Sequence, residues 1–500
     1  FRDETFERGV VDECCTHGVI FFDADNDGDL DLFNANTWEP NQLYINDGDG
    51  YFTEESFARG IENIDGETRG AVAFDVNNDG FIDIFAANWG MQNEMYINDG
   101  DGTFTREYRG AEGSIEDPEQ IGTQGVTVGD IDNDGDYEIY VSKREAPNQL
   151  FLNENGYFRE VASERGVAVP DRSDGATFAD FDRDGDMDLF VANTRIPNTL
   201  NKINLYVLVN NGSGFFQDMT DSHSLAMEGF TPLFFDANND GHLDLYRLRN
   251  NDYDRSSVAV LSLGDGAGEF VSAGYCGATI IGADARSCVA HDFDSDGDLD
   301  LYVTTKLFEN VYLENRSNIA DNNWIEISTI GPQGDVGGIG SKIDIYKTGQ
   351  LGIPSGLRGH REVVTAQGYL SGGSFVQHFG LGDHTSCDVR VTLSDGTILE
   401  KTNVAANQRI VIGNENFKTL EYVSGDNQTG VINQLLAQPL RVCVVDQDGL
   451  LVANQSVNFV VTQGDGSFDA DPVVPTDASG YASIYFRLGS TEGQHAVEAR

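Results

Sequence analysis

One twelve-residue acidic pattern occurs six times in the first two thirds of the chain, and it limits what the chain can become. It reads FDADNDGDLDLF from Phe22, FDVNNDGFIDIF from Phe74, GDIDNDGDYEIY from Gly129, ADFDRDGDMDLF from Ala179, FDANNDGHLDLY from Phe235 and HDFDSDGDLDLY from His291. The leading aspartates recur every 50 to 56 residues. A period of that size marks stacked supersecondary units, none of which buries its apolar face alone. Inside each unit the hydrophobic period is that of strands. Gly18–Phe22 leads into the first acidic loop, and alternating residues from Leu30 follow it. A third strand is predicted at Asn41–Asn46, Asn93–Asn98, Asn148–Asn153 and Asn310–Asn315, and a fourth at Tyr51–Ser56, Phe104–Glu107 and Phe158–Val161. Four short antiparallel strands per repeat describe a propeller blade, so the fold class is all-β.

The acidic loops read D-x-(D/N)-x-D-G-x-x-(D/E). Position one is Asp23, Asp75, Asp130, Asp180, Asp236 and Asp292; position three is Asp25, Asn77, Asp132, Asp182, Asn238 and Asp294. Position five is Asp27, Asp79, Asp134, Asp184, Asp240 and Asp296; position nine is Asp31, Asp83, Glu138, Asp188, Asp244 and Asp300. Position seven varies freely (Asp29, Phe81, Asp136, Asp186, His242, Asp298), as expected if it offers a backbone carbonyl. Alternate oxygens around a tight loop suit Ca²⁺, which takes six to eight at roughly 2.3–2.6 Å; Mg²⁺ usually keeps several waters. An EF-hand would need Glu at position twelve, where Asn34, Ala86, Val141, Val191, Arg247 and Val303 stand instead. About six Ca²⁺ ions are expected, with weaker sites at Asn77 and Asn238.

Acidic residues number 83 against 31 basic ones, a net charge of −52, which argues against nucleic acid or anionic membrane as partner. Six Ca²⁺ ions would offset only a minority of that charge, so their role is local. No apolar run reaches the roughly 18 residues of a membrane span. The chain opens at Phe1, which fits a processed or excised segment. Six cysteines include no C-x-x-C pair; Cys276 with Cys288 is one pairing option, and free thiols are the other.

The repeats resemble the FG-GAP/VCBS repeats of calcium-binding β-propellers over about residues 1–320. Six repeats are visible. The sixth lacks a fourth strand, and Phe1–Thr5 has the form of one, which would close six blades; seven blades, common in that family, is the competing count. Residues 324–415 resemble the ASPIC/UnbV module of the cartilage-acidic-protein family, through Gly337–Tyr346, Gly368–Ser371, His378–Gly382, Val389–Gly396 and Asn403–Gln408. They depart from it at Leu393-Ser-Asp-Gly396, where the family usually has Trp-Pro-Ser-Gly. A linker is expected at 416–436. Residues 437–500 resemble a bacterial Ig-like (invasin-type) domain, incomplete for want of one edge strand, so that more chain or a neighbouring molecule would cover the edge.

The expected function is extracellular and non-catalytic: a calcium-stabilised adhesion or binding scaffold presenting its loops to a protein, a glycan or other copies of itself. A polysaccharide-lyase-like propeller enzyme and a purely structural self-assembling subunit are the alternatives. An enzyme needs basic or aromatic groups with carboxylates in one cleft. Lys143-Arg144 and Arg247 read as solvated positions, and His378 as a packed structural histidine.

Overall fold

The computed structural model describes residues 3–499 apart from 13–14, 62–66, 112–121, 171, 194–204, 222–230, 250–257, 275, 281–284, 306–308, 318–321, 367–371, 414–417, 426–427, 447–450 and 492. Two compact units divide the chain, Phe1–Ile410 and Val411–Arg500.

Each acidic repeat becomes one antiparallel sheet. Sheet 1 runs Cys15–Phe22, Asp31–Thr37, Gln42–Asn46 and Phe52–Glu54 in that spatial order. Sheet 2 is Thr68–Phe74, Asp83–Asn88, Glu94–Asn98 and Phe104–Glu107; sheet 3 is Thr123–Gly129, Glu138–Lys143, Gln149–Asn153 and Phe158–Glu160. Sheet 4 is Ser173–Ala179, Asp188–Asn193, Leu205–Asn210 and Phe216–Asp218; sheet 5 is Thr231–Phe235, Asp244–Arg249, Val258–Gly264 and Phe270–Ser272. Sheet 6 has three strands among the described residues, Ala285–His291, Asp300–Thr305 and Val311–Leu313. Every second strand starts at position nine of its loop, so the loop is the hairpin between the first two strands.

The first strands of successive sheets pack side by side from sheet 1 to sheet 6. Small residues permit this approach: a Cβ on Gly125 would lie 2.8 Å from the Asp174 carbonyl oxygen. Alternate residues of the two inner strands fill the space between sheets, with Phe22, Phe33, Phe74, Phe85 and Phe190 all fully buried. Each contributes roughly 1.5–3 kcal/mol of burial. Polar clasps add register. Nδ2 of Asn98, Asn153, Asn210 and Asn315 donates to the position-two carbonyl of the preceding loop (Ala24, Val76, Ile131, Ala237) at 2.9, 3.0, 2.7 and 2.9 Å.

The rest of the first unit has two further sheets. One orders Val376–Gly382, Asn323–Ile330 and the strand Gln408–Gly413, in which the unit ends; the other orders Leu357–Glu362, Lys342–Lys347, Ser386–Thr392 and Ile398–Ala405. The motif Gly368–Ser371 lies outside the described residues.

In the second unit, Lys418–Ser424 pairs with Leu440–Asp446, which pairs with Tyr481–Ile484, while Ser456–Gln463 lies between Val473–Pro475 and Ala496–Ala499. Val444, Val457, Phe459, Ala482 and Ile484 form its core. The expected linker at 416–436 is therefore corrected: Lys418–Ser424 is a strand of this unit. The repeats and the module after residue 323 lie together in the first compact unit, to Ile410.

Of the expected closing strand Phe1–Thr5, Phe1 and Arg2 lie outside the described residues. Asp3 accepts the Thr5 amide at 3.0 Å, the same turn that ends the fourth strands at Glu54–Ser56, Glu160–Ala162 and Asp218–Thr220. Cys276 and Cys288 are free thiols, so that pairing option is not taken. Lys143 and Arg247 are buried rather than solvated. Arg144 is partly buried in an ion pair with Asp174, and Arg247 donates to Ser262 Oγ at 3.0 Å.

Candidate metal loops and their cover

The loop backbone sets the positions of the carboxylates. Position four takes left-handed φ in all six loops, 57° at Asn26, 57° at Asn78, 59° at Asn133, 63° at Arg183, 58° at Asn239 and 64° at Ser295. Asparagine tolerates that region better than most residues, and the glycine at position six completes the reversal. The reversal points the amides of positions five and six at position one. In the first loop Asp23 accepts Asp27 N at 3.1 Å and Gly28 N at 3.2 Å. Asp75, Asp130, Asp236 and Asp292 repeat the pair.

Position nine has a second task that the sequence pattern does not reveal. Asp31 accepts the amides of Ala24 and Asn46, both at 2.8 Å, and so ties its loop to the third strand. Asp83, Glu138, Asp244 and Asp300 do the same. Three side chains at position seven turn to the neighbouring loop. Asp136, Asp186 and Asp298 accept from Asn78, Asn133 and Asn239 at 2.6, 3.2 and 2.8 Å.

Four loops bring carboxylate oxygens within 4.8 Å of one another: Asp23, Asp25 and Asp27; Asp130, Asp132 and Glu138; Asp180, Asp182 and Asp184; Asp292, Asp294 and Asp296. Buried oxygens of Asp25, Asp132, Asp180 and Asp182 have no hydrogen-bond partner among the described residues. Burial, and after it the charge of Asp27, pushes the Asp23 carboxyl up to about 7. Burial and then Asp184 likewise raise Asp182. Such a donor set, hard oxygens crowded and short of positive charge, fits a divalent cation. In the second and fifth loops, Asn77 and Asn238 donate to Asp79 and Asp240 at 2.9 and 3.0 Å, so those loops carry less charge.

The module beyond residue 323 touches all six loops, yet their tips stay open to solvent: Asp27, Asp79, Asp134, Asp184, Asp294 and Asp296 are exposed. The Val336 backbone lies beside Asp23 and acts on its carboxyl, and Gln333 lies against Gly80. Lys342 pairs with Asp130, while Glu362 accepts the Asp130 amide at 3.3 Å. The charges of His360 and Arg361 act on Asp180, and that of Arg361 on Asp236. Gly382 N donates to Asn239 O at 2.9 Å. His378 Nε2 donates to Gly297 O at 3.1 Å, beside Trp324; burial holds its ring down at about 4, and it packs as a neutral structural histidine. His360 is buried, and its Nδ1 lies 2.7 Å from Asp344.

A further set of residues joins loops to sheets. Arg8-Gly9, Arg59-Gly60, Arg109-Gly110 and Arg165-Gly166 each end a fourth-strand turn. Arg59 pairs with Asp25 at 3.1 Å and donates to Gly102 O at 2.9 Å. Repetition of Arg-Gly at one offset was the signal that would have identified them.

The chain matches the FG-GAP-like repeat family at residues 23–86, 75–141 and 130–191, and the ASPIC and UnbV family at 331–419. It is 29% identical to human cartilage acidic protein 1 over 154 residues, 30% of this chain and 23% of that protein. The mouse protein of the same name is 27% identical over 154 residues, 30% of this chain and 24% of that one. The matched part thus spans about a quarter of these relatives' length. A solved structure of BBS1N in complex with ARL6DN, soaked with lead, is similar at 10% identity and a TM-score of 0.40, covering 81% of this chain and 96% of that one. The chain carries FG-GAP-like repeats followed by an ASPIC/UnbV module, and the repeat sheets continue in the structure beyond residue 191 to Leu313.

Proposed function

We propose that residues 1–410 form a calcium-loaded β-propeller whose metal face is touched by the ASPIC/UnbV module, and that the chain serves outside the cell as a non-catalytic binding or adhesion scaffold. The observation that carries the reading is the loop set: one backbone geometry repeated six times, with carboxylate clusters whose buried oxygens lack partners. Calcium would supply the missing positive charge, taking positions one, three and five, with Glu138 at position nine in the third loop, and the carbonyl of position seven, while position nine also fixes the loop to its sheet. Its contribution is structural, since a ligand that binds only the native state stabilises it by mass action.

A protein or glycan partner, or another copy of the chain, would meet the exposed loop tips, the outer sheet edges or the opposite face. Among the described residues no helix is long and apolar enough to cross a membrane. Differential scanning calorimetry tests the metal reading. Chelator should lower the melting temperature by several degrees and Ca²⁺ should restore it better than Mg²⁺; unchanged melting after complete removal of divalent ions refutes it.

A further inference from the structure

Every joint between successive sheets is built from the same positions. On the exit face, which a sheet turns to its successor, loop position eleven is fully buried as Phe33, Phe85, Tyr140, Phe190 and Tyr246, and position two is buried from the first loop to the fifth. On the entry face, the residue four before the loop is buried as Ala71, Val126, Ala176 and Cys288. The faces meet ring on ring: Tyr140 lies 6.4 Å from Phe178 and Phe190 lies 4.3 Å from Phe234, each partner two residues before the next loop. The end sheets break this rule. In sheet 6 position eleven is Tyr302, 38% exposed; its cross-strand neighbour Tyr312 is 47% exposed, and Phe293 at position two is 50% exposed. Phe293 and Tyr312 pack edge to face at 5.8 Å, so these exposed rings adjoin. The entry face of sheet 1 shows Val19 at 46% and Phe21 at 43%. Sheet 6 also lacks, among the described residues, the fourth strand that sheets 1 to 5 possess. The tail of such a strand sits on sheet 1. The carbonyls of Arg59 and Arg109, which follow the fourth strands of sheets 1 and 2, accept the amides of Phe104 and Phe158 on the next sheet, both at 2.7 Å. Arg8 accepts that of Phe52 at 2.8 Å, after the same turn at Asp3–Thr5, although no described sheet precedes sheet 1.

We propose that sheet 6 of one copy docks on sheet 1 of another, head to tail, and forms between chains the joint that the inner sheets form within one. Tyr302 then meets Phe21, and residues 3–5 of the incoming copy lie beside the open third strand Val311–Leu313. The occupant follows from complementarity. An exit face is shaped for an entry face, and among the described sheets only sheet 1 leaves its entry face exposed. Adjoining exposed rings are a contact surface, and a contact between unlike faces propagates from copy to copy. The proposal rests on the scaffold reading above, to which it gives another copy of the chain as partner, and not on calcium. A net charge of −52 opposes the approach of two copies, so added salt should tighten the contact.

Sedimentation velocity of the full chain in Ca²⁺ tests the joint. The average mass should rise with concentration across the micromolar range. Phe21→Asp and Tyr302→Asp should each weaken association roughly tenfold or more, since each places a charge at the centre of the contact. An equal mixture of the two variants should form a dimer and nothing larger, because each retains the face that the other has lost. If either variant fails to fold by circular dichroism, Phe21→Ser and Tyr302→Ser take their place. A parent chain that stays monomeric at every concentration overturns the proposal; closure of the ring within one chain, or a further sheet from elsewhere, then covers the two faces. Association that both substitutions leave unchanged overturns it too, as does a Phe21→Asp chain that still pairs with itself, which would show like faces meeting. Weakening by salt would assign the contact to charged groups and count equally against it. A monomer whose melting still follows Ca²⁺ loses this association and keeps the calcium-loaded scaffold.

Discussion

Positions five and seven of the loop both carry aspartate in several repeats, yet the backbone gives them different work. Asp27 stands in the carboxylate cluster with Asp23 and Asp25, and its Oδ1 accepts the Asp29 amide at 3.0 Å. At position seven the side chains of Asp136, Asp186 and Asp298 leave their own loops to reach a neighbour. Asp27→Ala should therefore remove a ligand, cost about 1–3 kcal/mol and lower the number or affinity of bound Ca²⁺, whereas Asp29→Ala should stay within about 0.5 kcal/mol. Native mass spectrometry and melting curves separate the two; equal losses would show that the loop register is wrong. The crowding of carboxylates was legible because alternate acids around a glycine fold back on one another. The task of position nine was not, since both amides it accepts are placed by the folded hairpin, one of them fifteen residues away in sequence.

The joint between sheets depends on a glycine whose role only the folded element reveals. Gly60 has φ of +84°, and a Cβ there would lie 2.1 Å from the Phe104 carbonyl oxygen, while the Phe104 amide donates to Arg59 O at 2.7 Å. A side chain at this point both strains the backbone and pushes the fourth strand of sheet 2 away. Gly60→Ala should destabilise the first unit by about 2–3 kcal/mol in urea unfolding while leaving Asp25 and its loop in place. A change under about 0.5 kcal/mol would show that the joint yields freely. The strands around it were readable: Asn41–Asn46 and Phe104–Glu107 fold as their alternation predicts, with Gln42–Asn46 and Phe104–Glu107 as the observed strands. Lys418–Ser424 was not readable, because Thr419, Glu421 and Ser424 give it the composition of a linker, although Leu420 packs against the sandwich core.

At the scale of the whole molecule the decisive contacts are those no local pattern encodes. Lys342 and Asp130 are 212 residues apart, and Thr365 Oγ1 accepts the Ala73 amide at 2.8 Å across 292 residues. The sequence marks the module as a separate pattern and reveals nothing of its seat on the loops. Physically, that seat makes repeats and module one cooperative body: loosening a loop exposes the buried faces of Asp23, Asp130 and Asp236, and with them the groups of the module that cover them. Val411–Arg500 has its own core of Val444, Val457, Phe459, Ala482 and Ile484, and every carboxylate cluster found among the described residues lies before residue 411. Calcium should therefore stabilise one unit and not the other. Calorimetry of the full chain should show two transitions, of which the larger moves down by several degrees in chelator while the smaller stays within about one degree, since only a ligand of the native unit shifts that unit's equilibrium. Hydrogen exchange assigns the transitions, with protection lost first across residues 15–382 when Ca²⁺ is withdrawn and retained at 440–446 and 456–463. A single transition moving as a whole, or equal loss of protection in both units, would show that the second unit draws its stability from the first and that the calcium loops govern the entire chain.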